Sequence, residues 1–148
     1  SIDSGTTSNR SILFDLKGKP VFSSQKEFTQ YFPKSGWVEH DPEEIWRTTI
    51  KTLRDVIVKA KKLRGKILSI GITNQRETTV LWNMKTGKPV YRAIVWQDRR
   101  QAEYCKKLKK QNKETLIFNK TGLPIDSYFS GTKIKWVLEL LVINLLTL

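Results

Sequence analysis

The chain has 148 residues, 39% of them hydrophobic and 10% aromatic, which suffices for one packed domain or one lobe of something larger and excludes a disordered segment. Its formal net charge of +13 invites nucleic acid or an anionic membrane, yet the basic residues are spread along the chain. Their densest runs, at 59–64 and 106–110, fall at expected helix ends and solvated helix faces, without the interleaved aromatics of a stacking platform.

A single Cys105 excludes an internal disulfide, and with a single His40 a His/Cys metal site has too few ligands. No stretch approaches the roughly 20 apolar residues of a spanning helix, and Ser1-Ile2-Asp3 does not open a secretory leader. A cytoplasmic protein with no nucleic-acid partner and no membrane span is expected.

Residues 9–15 predict a strand, 17–20 a turn, and 21–31 a long returning strand. Residues 1–31 then form a two- or three-stranded antiparallel unit with Gly5-Thr6-Thr7 at a hairpin tip. Asp41 predicts a helix N-cap, Pro42 the first helical position, and Glu44 the capping-box partner. Ile45, Trp46, Ile50, Leu53, Val56, Ile57 and Ala60 recur at helical spacing, giving a one-faced helix that ends before Gly65. Residues 67–72 predict a buried strand, and 78–82 with 90–95 an antiparallel pair about a turn at 83–87. From Asp98, read as a helix N-cap, the chain is helical, with a break at 121–124 and a further helix from about Ser130. The order implies an α/β domain, a mixed sheet flanked by helices.

The first residue is not Met, and residues 140–148 are nearly all apolar with no capping Gly or Pro. Both ends are expected to be edges of a fragment, the tail either completing a local core or marking a missing partner domain or an interrupted reading frame.

Four segments carry chemistry. In 3–10 an acidic residue, a tight-turn Gly, hydroxyls and Arg10 share one hairpin tip, able to hold phosphate oxygens or simply to turn the chain. It is no Walker A loop. At 74–79 Arg76 and Glu77 follow a strand, where regular geometry would point them to opposite faces. If they serve one polyol, as guanidinium donors and a carboxylate acceptor, the chain must leave strand geometry there. The alternative is a surface ion pair. Trp96 could cover a polyol's carbon face or lie in the core, and Tyr128 could offer a hydroxyl to a ligand or serve only its loop.

Taken together and in order, Asp3-x-Gly5-Thr6-Thr7-Ser8-x-Arg10, Asn74 to Thr79, Trp96 to Arg100, and Gly122-Leu123-Pro124-x-Asp126-x-Tyr128-Phe129-Ser130 resemble the first part of the glycerol kinases. Those enzymes belong to the FGGY carbohydrate kinases of the actin/hexokinase-like ATPase superfamily. The segment from Gly36 to Pro42 is similar as well. The likeness runs from Ser1 to about Leu138, which suggests an incomplete N-terminal kinase lobe over 1–139 and a divergent apolar tail over 140–148.

The resemblance implies a ribonuclease-H-like α/β lobe and, in the full-length protein, a homo-oligomer that phosphorylates glycerol to glycerol 3-phosphate with ATP and Mg²⁺. It implies that Arg76 and Glu77 bind glycerol hydroxyls, that Tyr128 adds a hydrogen bond, and that Trp96 packs on the glycerol backbone. Thr6, Thr7, Ser8 and Arg10 would approach the phosphates of ATP, and Asp3 would lie near the metal. Ser4 departs from the Gln usual between the Asp and the Gly, which bears on phosphate handling. The general-base aspartate, another aromatic wall and the adenine-binding domain come later in family members, so no catalytic residue is expected here and the 148 residues alone should be inactive. Other readings stay open: another FGGY sugar or polyol kinase, a non-catalytic basic binding module, or a broken-gene relic.

Overall fold

A computed structural model describes residues 1–146. In chain order come β1 (Ile2–Ser4), β2 (Ser8–Phe14), β3 (Pro20–Glu27), β4 (Glu39–His40), α1 (Pro42–Lys62), β5 (Ile72–Thr73), β6 (Ala93–Ile94), α2 (Ala102–Lys110), α3 (Glu114–Thr121) and α4 (Ser130–Leu146). They form two compact units, Ser1–Gln30 with His40–Arg76, and Tyr31–Glu39 with the chain from Glu77 onward. No described helix is long and apolar enough to cross a membrane. Of the expected apolar tail, Thr147 and Leu148 lie outside the described residues.

The first unit is built on a mixed sheet of order β3-β2-β1-β5. β1 and β2 are antiparallel with Asp3 opposite Arg10, β2 and β3 are antiparallel, and β1 runs parallel to β5 with Asp3 opposite Thr73. A parallel pair needs a long crossover, and α1 lies within it. Side chains alternate across the strands, so Ile2, Ser4, Asn9 and Ser11 share one face and Asp3, Ser8 and Arg10 the other.

The first face meets α1 through a polar seam. Buried Asn9 donates from Nδ2 to Thr48 Oγ1 at 2.7 Å and to the Ile45 carbonyl at 2.9 Å, and Ser11 and Thr52 share a hydroxyl bond at 2.9 Å. The buried positions of α1 are Thr48, Thr52, Val56 and Ala60, whereas Trp46, read from its spacing as part of the apolar face, is 62% exposed. Asp41 caps α1 by accepting from the Glu43 amide at 2.9 Å. Glu44 does not close a capping box; its carboxylate accepts from the amide and hydroxyl of Thr29.

Two further expectations fail in this unit. The returning strand stops at Glu27 rather than Tyr31, because Phe28 turns into the core and its amide bonds the Thr7 carbonyl. Residues 67–71 form no strand, and only Ile72–Thr73 pairs. The order ends at β5, so among the described residues no further strand covers this apolar run: Leu68 is 67% and Ile72 73% exposed.

Fully buried His40 lies edge-on to Phe28, with 5.0 Å between ring centroids, and its Nε2–H donates to Gln30 Oε1 at 2.7 Å. Burial lowers its pKa from 6.5 to about 4, against the opposing pull of Glu44. Between those values the unfolded chain holds a proton that the folded chain lacks. Stability is therefore fully present above pH 6.5 and falls by about 3 kcal/mol as pH drops toward 4. Urea melts between pH 7 and 4.5 should show this slope, and His40→Gln should flatten it. Equal slopes in the two proteins would refute the assignment.

The second unit centres on Ala93, Ile94 and Val95, all fully buried. Thr79 and Ile94 exchange backbone bonds at 2.9 and 3.0 Å, and the Val95 amide bonds the Val38 carbonyl at 3.0 Å. The expected pair about the 83–87 turn is present as isolated bridges rather than long strands. Gly122, at φ +72°, closes α3 in the left-handed conformation that glycine adopts most readily. Asp98 caps no helix, since α2 begins at Ala102; it lies in a buried ion cluster.

Candidate functional site

The hairpin tip of the first unit is shaped by close backbone contacts. The Gly5 amide donates to the Ser8 carbonyl at 2.9 Å, and a Cβ on Gly5 would stand 3.1 Å from that oxygen, so a small residue is favoured there. Ser4 Oγ donates to Asn9 Oδ1 at 2.7 Å, tying the position that departs from the family pattern to the seam under α1. Gln30, held by His40, donates to the Thr6 carbonyl at 3.1 Å. On the other face Gln25 takes a bond from Arg10 Nε and gives one to Ser8 Oγ, both at 2.9 Å. Asp3, Ser8 and Arg10 therefore share the face that α1 does not cover.

The second unit gathers Glu77, Trp96 and Tyr128. Glu77 takes φ +63°, a left-handed conformation that costs a side-chain-bearing residue about 1–2 kcal/mol. The chain thus leaves strand geometry at this residue. Glu77 Oε2 accepts from both the amide and the hydroxyl of Ser130, each at 2.8 Å. Tyr128 lies edge-on to Trp96 with 6.0 Å between centroids, and to Phe129 at 5.1 Å. Buried Lys133 donates from Nζ to the Glu77 carbonyl at 2.8 Å and to the Tyr128 carbonyl. Burial lowers its pKa to about 8, while Glu77, Asp98 and Asp126 pull the other way. Exposed Arg76 is the last residue of the first unit, adjacent in sequence to Glu77.

In the same unit the Arg100 side chain, 1% exposed, bonds Asp98 through Nε and Nη2 at 2.9 and 2.8 Å and Glu39 through Nη2 at 2.7 Å. Its guanidinium lies 3.8 Å over Trp37 and 4.5 Å over Trp136. Burial works against its charge, but the bonds to Asp98 and Glu39 prevail and raise its pKa. Asp98 also accepts from the Val38 amide at 2.7 Å, so this network holds the segment on which Trp96 stands.

The family model of the N-terminal domain of the FGGY family of carbohydrate kinases matches residues 1–140. The chain belongs to the FGGY family of carbohydrate kinases. It is 58% identical to the glycerol kinase of Petrotoga mobilis over 94% of its own length and 28% of that protein's. It is 60% identical to the glycerol kinase of Malacoplasma penetrans over 94% of its length and 27% of that one. The crystal structure of Plasmodium falciparum glycerol kinase with ADP aligns with a TM-score of 0.88 at 38% identity, covering 94% of this chain and 28% of that one. The FGGY chain thus spans little more than a quarter of these relatives' length, and its mixed sheet with helices has their fold.

Within this FGGY chain the residues singled out from sequence fall into two sets. Asp3, Thr6, Thr7, Ser8 and Arg10 lie on one hairpin of the first unit. Glu77, Trp96 and Tyr128 are brought together in the second. Missed were Asn9, Gln30 and His40 behind the tip, and Ser130 and Lys133 behind Glu77. The last pair was within reach, because residues three apart in the first turn of α4 share a face.

Proposed function

We propose that this lobe belongs to an enzyme that phosphorylates glycerol to glycerol 3-phosphate with ATP, and that it carries most of the glycerol pocket and the first phosphate loop. The observation that carries the reading is the left-handed turn at Glu77, whose carboxylate is held by Ser130 beside Tyr128 and Trp96. In this reading Arg76 donates to two hydroxyl oxygens, Glu77 accepts hydroxyl protons, Tyr128 adds a hydrogen bond, and Trp96 covers the carbon–hydrogen face. Identities of 58–60% to glycerol kinases support glycerol over other acceptors.

At the tip, the hydroxyls of Thr6, Thr7 and Ser8 and the guanidinium of Arg10 are suited to phosphate oxygens. Among the described residues no cluster of three or more His, Cys, Asp or Glu could hold a metal by itself. A phosphate-bound Mg²⁺ needs only one or two carboxylates, so Asp3 fits as one such ligand. Mg²⁺ bound with the triphosphate would neutralise charge as the phosphoryl group transfers. Residues 1–139 would be the lobe and 140–148 a divergent tail. A cytoplasmic setting rests on the composition and the resemblance, and a homo-oligomeric full-length protein on the resemblance alone.

A chimera tests the proposal. Residues 1–140 replace the matching stretch of the Petrotoga mobilis glycerol kinase, whose remaining length supplies the rest. Glycerol-dependent ADP release is expected, and Arg10→Ala should lower kcat by about 100-fold through lost charge stabilisation. A folded chimera without turnover would contradict the proposal, and a preference for a pentulose would favour a sugar kinase.

A further inference from the structure

Buried lysines are rare unless their charge has partners, and Lys133 is 1% exposed. Among the described residues its ammonium makes no close ion pair with a carboxylate; its hydrogen bonds go to two backbone carbonyls, those of Glu77 and Tyr128, which lie 56 and 5 residues from it in sequence. One of these belongs to a residue in the left-handed conformation, and the other to a loop between α3 and α4. The Glu77 carbonyl takes besides only a long bond of 3.4 Å from the Thr79 hydroxyl among the bonds described, so a cation between the two carbonyls supplies a strong donor to both and fixes their spacing. We infer that Lys133 is a positioning residue that locks the Glu77 turn to the Tyr128 loop, so that the carboxylate and the phenol are held for the same polyol.

The charges facing Lys133 are the carboxylates of Glu77, Asp98 and Asp126, with the Tyr128 ring 5.9 Å from Nζ. Ser130, one turn before Lys133 on α4, grips the Glu77 side chain while Lys133 grips its backbone. Residue 77 is thereby held at both ends by a single helical turn. The role rests on the polyol reading of the site, but the lock itself can be read without ligand.

The test follows the carbonyl carbons of Glu77 and Tyr128 by ¹³C-detected NMR on the 148-residue chain. Both are expected to titrate together with a midpoint near pH 8 in the native protein. Lys133→Arg keeps a cation and should hold both shifts flat to pH 10. Lys133→Met should abolish the titration and raise hydrogen exchange at the Ser130 amide by about tenfold, as expected for a loosened bond to a charged acceptor. A Ser130 amide and Glu77 and Tyr128 carbonyl shifts that are unchanged in a folded Lys133→Met would overturn the lock. If Lys133→Met fails to fold, the same exchange and shifts read in Lys133→Gln decide.

Glycerol calorimetry forms the second arm. A native chain that binds, with Lys133→Met weaker by about tenfold and Lys133→Arg near native, supports positioning. Equal binding by folded Lys133→Met overturns it. A native chain that binds no glycerol counts against the polyol reading, and the Ser130 exchange in the Lys133 variants then decides the lock by itself.

Discussion

Arg100→Met is expected to destabilise the second unit by about 3–5 kcal/mol, the cost of removing one partner from a buried ion cluster. The replacement leaves two carboxylates without their cation, Asp98 at 1% and Glu39 at 4% side-chain exposure. It also strips the cation that lies over Trp37 and Trp136. Against a total stability of about 5–15 kcal/mol, such a loss removes a large part of what holds a small unit together. Lysine should not rescue it, because one ammonium cannot reproduce a planar fork that bonds Asp98 and Glu39 together. Urea midpoints and the near-ultraviolet signal of the tryptophans report the loss. A midpoint unchanged at pH 7 would show that the cluster is not an energetic keystone.

Arg76→Ala and Glu77→Ala should each remove glycerol binding, by about 10- to 100-fold per side chain. The estimate follows from about 1.5–3 kcal/mol for a hydrogen bond to a charged group. The two losses differ in kind. Arg76 is exposed, so its removal should leave stability near native. Glu77 is held in a left-handed turn by Ser130 and Lys133, and its truncation also cuts both Ser130 bonds to Oε2. Glu77→Ala should therefore lose binding and also loosen the start of α4, whereas Glu77→Gln should keep most of the fold. Similar stability for Glu77→Ala and the native chain would mean that Ser130 contributes little to holding the turn.

Much of this was legible from residue types and spacing. Asp41-Pro42-Glu43 announced the start of α1, the 83–87 turn and the Gly122 break are punctuated by glycine, and the tip lies where Gly5 permits it. The departure from strand geometry required of an Arg76–Glu77 pair has its counterpart in the positive φ of Glu77. What stayed hidden depends on partners distant in sequence. Periodicity marked Trp46 as apolar face, but α1 docks through Thr48 and Thr52 because Asn9 and Ser11 are there to meet them. Residues 67–72 have the composition of a buried strand, but their burial depends on a neighbour that the described residues do not supply. Asp98 has the composition of a cap, yet Arg100 and the Val38 amide compete for its oxygens and win. The spacing of Ser130 and Lys133 could place both on one face of α4, but not show that the lysine turns from solvent to two carbonyls.

The central claim is that these residues form a glycerol half-site, and titration of glycerol into the purified chain by calorimetry tests it most directly. The account predicts weak heat that is unchanged between low and high salt, since hydrogen bonds to a neutral polyol release no counterions, and that is absent in Arg76→Ala. No heat from a folded native sample, or heat that survives Arg76→Ala, would contradict it.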